Sequence, residues 1–122
     1  MKIAALRIFV DDLAAARDFY AGALGLLLGE DGARYGWCVF DGGGARLVLE
    51  SVAPDAAPDD RSLVGRFVGV SFEVGDVEAE YARLRGMGVR FTGPPARQPW
   101  GGALATLSDP SGNLIQLVQR DS

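Results

Sequence analysis

The sequence predicts an α+β protein built from two tandem βαβββ repeats, whose curved mixed sheets surround a groove. Two observations carry this prediction: a strand–aspartate–helix pattern occurs twice, and so does a later strand–turn–strand pattern. Self-similarity at a fixed spacing is the signature of a duplicated supersecondary unit. We expect the first repeat at 1–52, a linker at 53–66 and the second repeat at 67–122, together in one compact domain.

The first half of each repeat is a strand followed by a helix. Residues 5–13 (ALRIFVDDL) match residues 69–77 (GVSFEVGDV), an offset of 64 positions. In both segments apolar residues alternate along the strand, which is the pattern of a strand with one face on a core. Asp12 and Asp76 directly precede the helical patterns, so that their side chains can accept hydrogen bonds from free N–H groups of the first turn.

The second half of each repeat is a hairpin. Residues 40–50 match residues 108–118, an offset of 68 positions, and each segment has a tight turn rich in Asp, Gly or Pro between two strands. Such turns connect antiparallel neighbours. Shorter strands are expected near Leu26–Gly29 and Val89–Thr92, which completes strand–helix–strand–strand–strand in each repeat.

Composition excludes several classes of function. The chain has 122 residues, 48% hydrophobic and 23% charged, with a net charge of −4 and no histidine. Its twelve Lys and Arg residues are scattered, whereas nucleic-acid binding needs a basic face, so no nucleic-acid partner is expected. No apolar run approaches the roughly 20 residues that span a bilayer, and no signal peptide is expected because the chain begins with a strand pattern. The single cysteine, Cys38, suits a buried hydrophobic position in a cytoplasmic protein.

Several motifs resemble those of a known family. They are Val10-Asp11-Asp12-Leu13, Phe19-Tyr20, Leu24-Gly25-Leu26, Pro99-Trp100-Gly101 and Asp109-Pro110-Ser111-Gly112-Asn113. Together they resemble the vicinal oxygen chelate superfamily, which holds glyoxalase I, extradiol dioxygenases, fosfomycin-modifying enzymes and bleomycin-resistance proteins. The resemblance covers nearly the whole chain and is closest in character to the metal-free, bleomycin-resistance-like branch. It implies the fold, but a fold does not select an activity.

The resemblance also implies where a metal would bind. In metal-binding members, the first and last strand of each repeat supply one ligand each, and the match places these positions at Ala5, Val48, Gly69 and Gln116. Metal sites of this kind need histidine nitrogen or carboxylate oxygen ligands. Ala, Val and Gly supply no such atom and a single Gln carbonyl is a weak ligand, so we expect neither a metal nor another cofactor.

The groove face is expected to bind a ligand. Every second residue of a strand lies on the same face, and the residues assigned to ligand binding are Arg7, Phe9, Glu50, Ser71, Glu73, Trp100 and Gln116. A partly solvated sheet face without a ligand has a similar mixture of side chains. No catalytic residue is assigned.

Three of the predicted side chains have open alternatives. Glu50 and Glu73 are interpreted as a carboxylate pair for acid–base work, as a site for a cationic ligand, or as charges neutralised by arginine. Trp100 stacks on a flat ligand, closes a loop over the core, or fills a subunit contact. Trp37 lies on a strand whose phase the pattern leaves open.

The function predicted from these features is binding of a small organic molecule by a cytoplasmic homodimer, in order to sequester a drug or natural product. A cationic, partly aromatic ligand suits an acidic protein with groove carboxylates. The alternatives are a glyoxalase-like lyase or isomerase with Glu50 or Glu73 as base, a dioxygenase-like enzyme with an atypical site, and an interaction module. Whether one chain or two build each groove stays open.

Overall fold

The computed structural model describes residues 1–121 and contains two four-stranded sheets of mixed strand direction. The chain divides into two compact units. Unit 1 holds Met1–Arg66 together with Pro110–Asn113, and unit 2 holds Phe67–Asp109 and the residues that follow Asn113. The predicted α+β class with two repeated modules is confirmed.

Unit 1 contains sheet A. Its strands are β1 (Ala5–Val10), β2 (Leu27–Gly32), β3 (Trp37–Asp41) and β4 (Arg46–Ser51), in the spatial order β1-β4-β3-β2. Its helices are α1 (Leu13–Asp18), which continues as a π-helical turn (Phe19–Ala23), a 3₁₀ turn (Ala33–Tyr35) and α2 (Pro58–Arg61). Strand β1 is parallel to β4, whereas β3 is antiparallel to both of its neighbours.

Unit 2 repeats this arrangement in sheet B. It consists of β5 (Phe67–Glu73), α3 (Val77–Gly86), β6 (Ala96–Arg97), β7 (Ala103–Ser108) and β8 (Leu114–Gln119). The spatial order is β5-β8-β7-β6, and β5 is parallel to β8. The first strand of each repeat is therefore parallel to the last, as a duplicated unit requires.

The two predicted helix caps are confirmed. The carboxylate of Asp12 accepts a hydrogen bond from the N–H of Ala15, and that of Asp76 accepts one from the N–H of Ala79, each at 3.0 Å. These bonds satisfy first-turn N–H groups that have no partner within the helix. No helix within residues 1–121 is long and apolar enough to cross a membrane.

Strand alternation builds the core as predicted. One face of each sheet is buried and contributes Ile8, Val10, Cys38, Phe40, Leu47 and Leu49 in unit 1, and Ala105, Leu107, Ile115 and Leu117 in unit 2. Burying a large apolar side chain contributes about 1.5–3 kcal/mol. The other residues of the same strands lie on the opposite face of each sheet, here called the open face.

The short strand of repeat 2 is divided into two pieces that both pair with β7. The predicted segment, Val89–Thr92, pairs through an antiparallel bridge between Phe91 and Leu107, with two backbone hydrogen bonds of 2.9 Å, from the N–H of Thr92 to Thr106 and from the N–H of Ser108 to Arg90. The second piece, which the sequence pattern did not predict, is β6 at Ala96–Arg97. Gly93-Pro94-Pro95 separates the two segments. Proline has no N–H to donate to a ladder, so pairing with β7 is interrupted there.

A turn from the second repeat completes unit 1. The buried side chain of Asn113 accepts hydrogen bonds from the N–H of Gly65 (2.8 Å) and of Arg66 (3.3 Å), and its amide nitrogen donates to the carbonyl of Phe9 (2.8 Å). One amide thus satisfies three backbone groups of distant segments. These bonds hold the end of β1, and with it Phe9, in place.

Candidate functional site

The open face of sheet A is organised in rows across three strands. Strand pairing makes the residues of a row direct neighbours. From β1 through β4 to β3, the first row is Phe9, Glu50 and Trp37, and the second row is Arg7, Val48 and Val39. Three of the predicted ligand-binding residues, Arg7, Phe9 and Glu50, therefore lie together on one surface.

Arg7 and Glu50 form a two-point ion pair on this face. The Nε and Nη2 atoms of Arg7 donate to the two carboxylate oxygens of Glu50 at 2.6 and 2.8 Å. This fork geometry is the strongest form of arginine–carboxylate pairing. The hydrogen bond and charge of Arg7 lower the pKa of Glu50, and Glu50 in turn raises the pKa of Arg7. Glu50 is consequently ionised at neutral pH, its charge is compensated, and it is a poor proton acceptor.

Two aromatic rings flank this pair. The guanidinium carbon of Arg7 lies 5.1 Å from the centre of the Phe9 ring, a cation–π contact. Trp37 is half-buried, and its indole lies over Gly32 of β2, where a side chain would overlap the ring. The face thus carries flat apolar surface on both sides of Glu50.

Trp37 was not among the predicted site residues. A sequence signal for it exists, because Cys38 was expected to be buried and β-strand alternation then assigns Trp37 and Val39 to the opposite face. The structure confirms this phase, since Cys38 and Phe40 are buried. The buried Cys38 is consistent with its predicted role as a small hydrophobe. Burial raises the pKa of its thiol, and the nearby carboxylate of Asp31 raises it further.

The open face of sheet B carries a neutral polar row. Ser71, Gln116 and Thr106 are direct neighbours across β5, β8 and β7, and the Nε2 atom of Gln116 donates to the hydroxyl of Thr106 at 3.2 Å. Gly69 lies within an interruption of β5–β8 pairing between Phe67 and Ser71 and has a φ of 76°, which favours glycine.

Glu73 and Trp100 occupy more exposed places in unit 2. The carboxylate of Glu73 pairs with the Nε atom of Arg120 at 3.0 Å, and 61% and 77% of these two side chains are exposed. Trp100 lies between β6 and β7, is 54% exposed, and covers Gly102. Because Glu50 and Glu73 each have an arginine partner, neither is an uncompensated charge that would favour a cationic ligand.

Comparison with known proteins agrees with this architecture. Residues 2–117 match the sequence profile of the Glyoxalase/Bleomycin resistance protein/Dioxygenase superfamily. The chain therefore belongs to this superfamily. It is 34% identical to the uncharacterized protein YurT of Bacillus subtilis, over 98% of this chain and 100% of that protein.

Two solved structures of the superfamily type are similar over almost their full length. A superfamily member from Sphaerobacter thermophilus is 30% identical with a TM-score of 0.79, and 98% of each chain is covered. TnmS3, an antibiotic binding protein from Streptomyces sp. CB03234, is 32% identical with a TM-score of 0.76, covering 99% of this chain and 97% of that one.

The residues at the metal positions of this superfamily do not fit a metal ion. Ala5 and Val48 present hydrocarbon, Gly69 has no side chain, and Gln116 offers only a neutral amide oxygen, which is a weak ligand. Within residues 1–121 no group of three or more His, Cys, Asp or Glu side chains is arranged to hold a metal. The atoms that these four residues offer are therefore poor ligands for a resident metal ion.

Proposed function

We propose that the protein binds a small organic molecule with a flat apolar part on the open face of sheet A, and sequesters it without a metal and without turnover. The observation that carries the proposal is the row Phe9, Glu50 and Trp37, in which two aromatic rings flank a carboxylate already compensated by Arg7. Aromatic stacking contributes about 0.5–1.5 kcal/mol beyond the burial of area. The named antibiotic-binding role of TnmS3 supports a drug or natural product as the ligand.

The state of the carboxylates favours binding over catalysis. A general base works best with a pKa near the working pH, whereas Arg7 lowers the pKa of Glu50. Glu73 is exposed and paired with Arg120, and the chain has no histidine to replace either one. The lyase, isomerase and dioxygenase alternatives gain no specific support from this arrangement.

The remaining predicted residues lie in unit 2, and we propose them as ligand contacts on the surface of that unit by itself. Ser71 and Gln116 offer hydroxyl and amide groups for ligand hydrogen bonds, and Trp100 offers an exposed indole for stacking. Glu73 contributes through its exposed pair with Arg120. Such a mixture of apolar surface and few polar groups is typical of small-molecule sites.

We further propose that the protein acts as a homodimer in the cytoplasm. Strands β1 and β2 are the edges of sheet A, and Leu27 on β2 is 72% exposed. Exposed sheet edges with apolar side chains favour association. Light scattering should give twice the 12.9 kDa mass of one chain at micromolar concentration, and a single-chain mass there would contradict the dimer.

Tryptophan fluorescence tests the binding proposal, because the two tryptophans lie in different units. The probe is a neutral anthraquinone, which is flat and quenches indole emission on contact. We expect quenching in the native protein and in Trp100→Phe, where Trp37 is the remaining indole, and much weaker quenching in Trp37→Phe. Replacing the ring by Trp37→Leu should weaken anthraquinone binding about 2- to 10-fold, which corresponds to the stacking energy.

The converse pattern would contradict the placement on sheet A. If Trp100→Phe abolishes quenching while Trp37→Phe retains it, the flat ligand binds at Trp100. Native mass spectrometry of the purified protein adds a second measurement, since a sequestering protein should retain an organic molecule of defined mass at one per site.

A further inference from the structure

The open face of sheet A continues into a cleft of about 740 Å³. The cleft lies between the start of the chain, β2 and the β3–β4 hairpin. Val39 belongs both to its lining and to the second row of the open face, so the aromatic surface and the cleft are continuous within unit 1. The volume is large enough for a polar group attached to a flat ligand.

Four charged side chains line the cleft, two of each sign. Lys2 and Arg46 are cationic, and Glu30 and Asp41 are anionic. Asp41 and Arg46 are direct neighbours on β3 and β4, yet no ion pair within 4.0 Å joins any of the four in the described chain. Asp41 instead accepts a hydrogen bond from the N–H of Gly43 in the hairpin turn at 2.8 Å.

The cleft therefore differs from the Arg7–Glu50 pair, in which the opposite charges satisfy each other. Its charges sum to zero but stay separate, so a ligand can contact both signs. A ligand with one net charge would gain one attraction and meet one repulsion, whereas a dipolar ligand gains two attractions.

Resting on the proposed function, we infer that the ligand of this face is zwitterionic. Its flat part lies on the aromatic surface beside Trp37, and an ammonium–carboxylate group of the amino-acid type occupies the cleft. In this arrangement Arg46 and Lys2 receive the carboxylate, and Asp41 and Glu30 receive the ammonium.

A series of matched indoles tests the inference. Tryptophan is a zwitterion at pH 7, tryptamine is a cation and indole-3-propionate is an anion, while the ring is the same in all three. Affinities are measured by calorimetry and by amide chemical shifts of β3 and β4 at low ionic strength, where charge effects are least screened. We expect tryptophan to bind at least 5-fold more tightly than either singly charged analogue.

Two variants that each remove one charge assign the roles of the charged groups. Arg46→Gln should weaken binding of tryptophan and indole-3-propionate about 5-fold and leave tryptamine almost unchanged. Asp41→Asn keeps the oxygen that accepts from Gly43, and should weaken tryptophan and tryptamine instead. Arg90→Gln, at an exposed position of unit 2, is the matched control and should change none of the three.

Each other outcome has a definite meaning. Three results would contradict the inference that the ligand is zwitterionic. They are equal affinity for the three indoles, tighter binding of a singly charged indole, and no shift of the β3 and β4 amides at millimolar probe. Trp37→Leu separates this inference from the proposed function. Suppose that Arg46→Gln and Asp41→Asn alter the relative affinities for the three indoles while Trp37→Leu leaves all three affinities unchanged. The zwitterion site in the cleft is then supported, and the proposed binding of the flat part beside Trp37 is contradicted.

Discussion

The open faces of the two sheets differ far more than their core faces. Across the repeat, Leu49 of β4 corresponds to Leu117 of β8, and both are buried. On the open faces the corresponding pairs are Arg7 and Ser71, Phe9 and Glu73, Val48 and Gln116, and Glu50 and Val118. None of these four pairs keeps the chemical character of its side chain: a cation corresponds to a hydroxyl, an aromatic ring to a carboxylate, a valine to an amide, and a carboxylate to a valine.

Glu50 and Glu73 show how the position of a strand in its sheet changes the exposure of a glutamate side chain. Glu50 is on the inner strand β4, its side chain is 30% exposed, and two hydrogen bonds from Arg7 fix it. Glu73 is on the edge strand β5, is twice as exposed, and pairs with a solvated Arg120. Core packing constrains both copies alike, whereas a solvated face imposes no such constraint and has diverged.

The largest effects are expected where the two units are alike. Leu49→Ala and Leu117→Ala should each lower the free energy of unfolding by about 2–5 kcal/mol, because each leaves a cavity in a buried sheet face. Urea denaturation measures both. Arg90→Ala, at an exposed position outside the proposed site and dimer edge, is the control and should change stability by less than about 0.5 kcal/mol. If one of the two variants loses less than about 1 kcal/mol of unfolding free energy, the cores of the two units do not respond alike to the loss of a leucine.

A smaller effect is expected where the turns differ. Asn113→Ala should cost about 1–3 kcal/mol, since it leaves the N–H of Gly65 and the carbonyl of Phe9 without this partner. Amide hydrogen exchange at Gly65 should accelerate. The corresponding residue of repeat 1 is Ala45, and Ala45→Asn should not stabilise the protein comparably. Unchanged exchange at Gly65 in Asn113→Ala would show that the amide is not what holds this segment.

The smallest effect concerns the two glutamates and appears mainly as a pH dependence. Arg7 lowers the folded-state pKa of Glu50, so the pair stabilises the fold above the unfolded-state pKa, about 4.3. That stability is lost as the pH falls through the folded-state pKa. Glu50→Gln should therefore give a flatter stability profile below about pH 4 than the native protein.

Glu73→Gln is the matched comparison for this profile. Its pair with Arg120 is largely solvated, and such pairs contribute little to stability. We expect its acid profile to follow that of the native protein in urea titrations between pH 2 and pH 6 (roughly the range in which carboxylates titrate). An acid profile of Glu50→Gln that also follows the native one would mean that the Arg7 pair does not persist in solution.

The sequence by itself determined the elements and the faces of this protein. Alternation predicted the buried faces of β1 (Ile8 and Val10) and β8 (Ile115 and Leu117), although Leu6, predicted on the same face of β1, is 43% exposed. The two aspartates predicted the helix starts, and the offsets of 64 and 68 predicted the repeat. These features depend on backbone geometry and on neighbours a few positions away, so a linear pattern contains them. The predicted placement of Arg7, Phe9 and Glu50 on one face follows from the same periodicity, counted from Ala5 and Val48, the positions that the family resemblance supplied.

Only the tertiary structure decided which groups meet. Arg7 and Glu50 are 43 positions apart, and Asn113 and Phe9 are 104 apart. Alternation places a side chain on a face, but it does not choose the partner strand, the register or the rotamer. The same reason explains the packing of Trp37 over Gly32 and the additional strand β6 at Ala96–Arg97. These outcomes depend on packing between distant segments, which is a property of the folded chain as a whole.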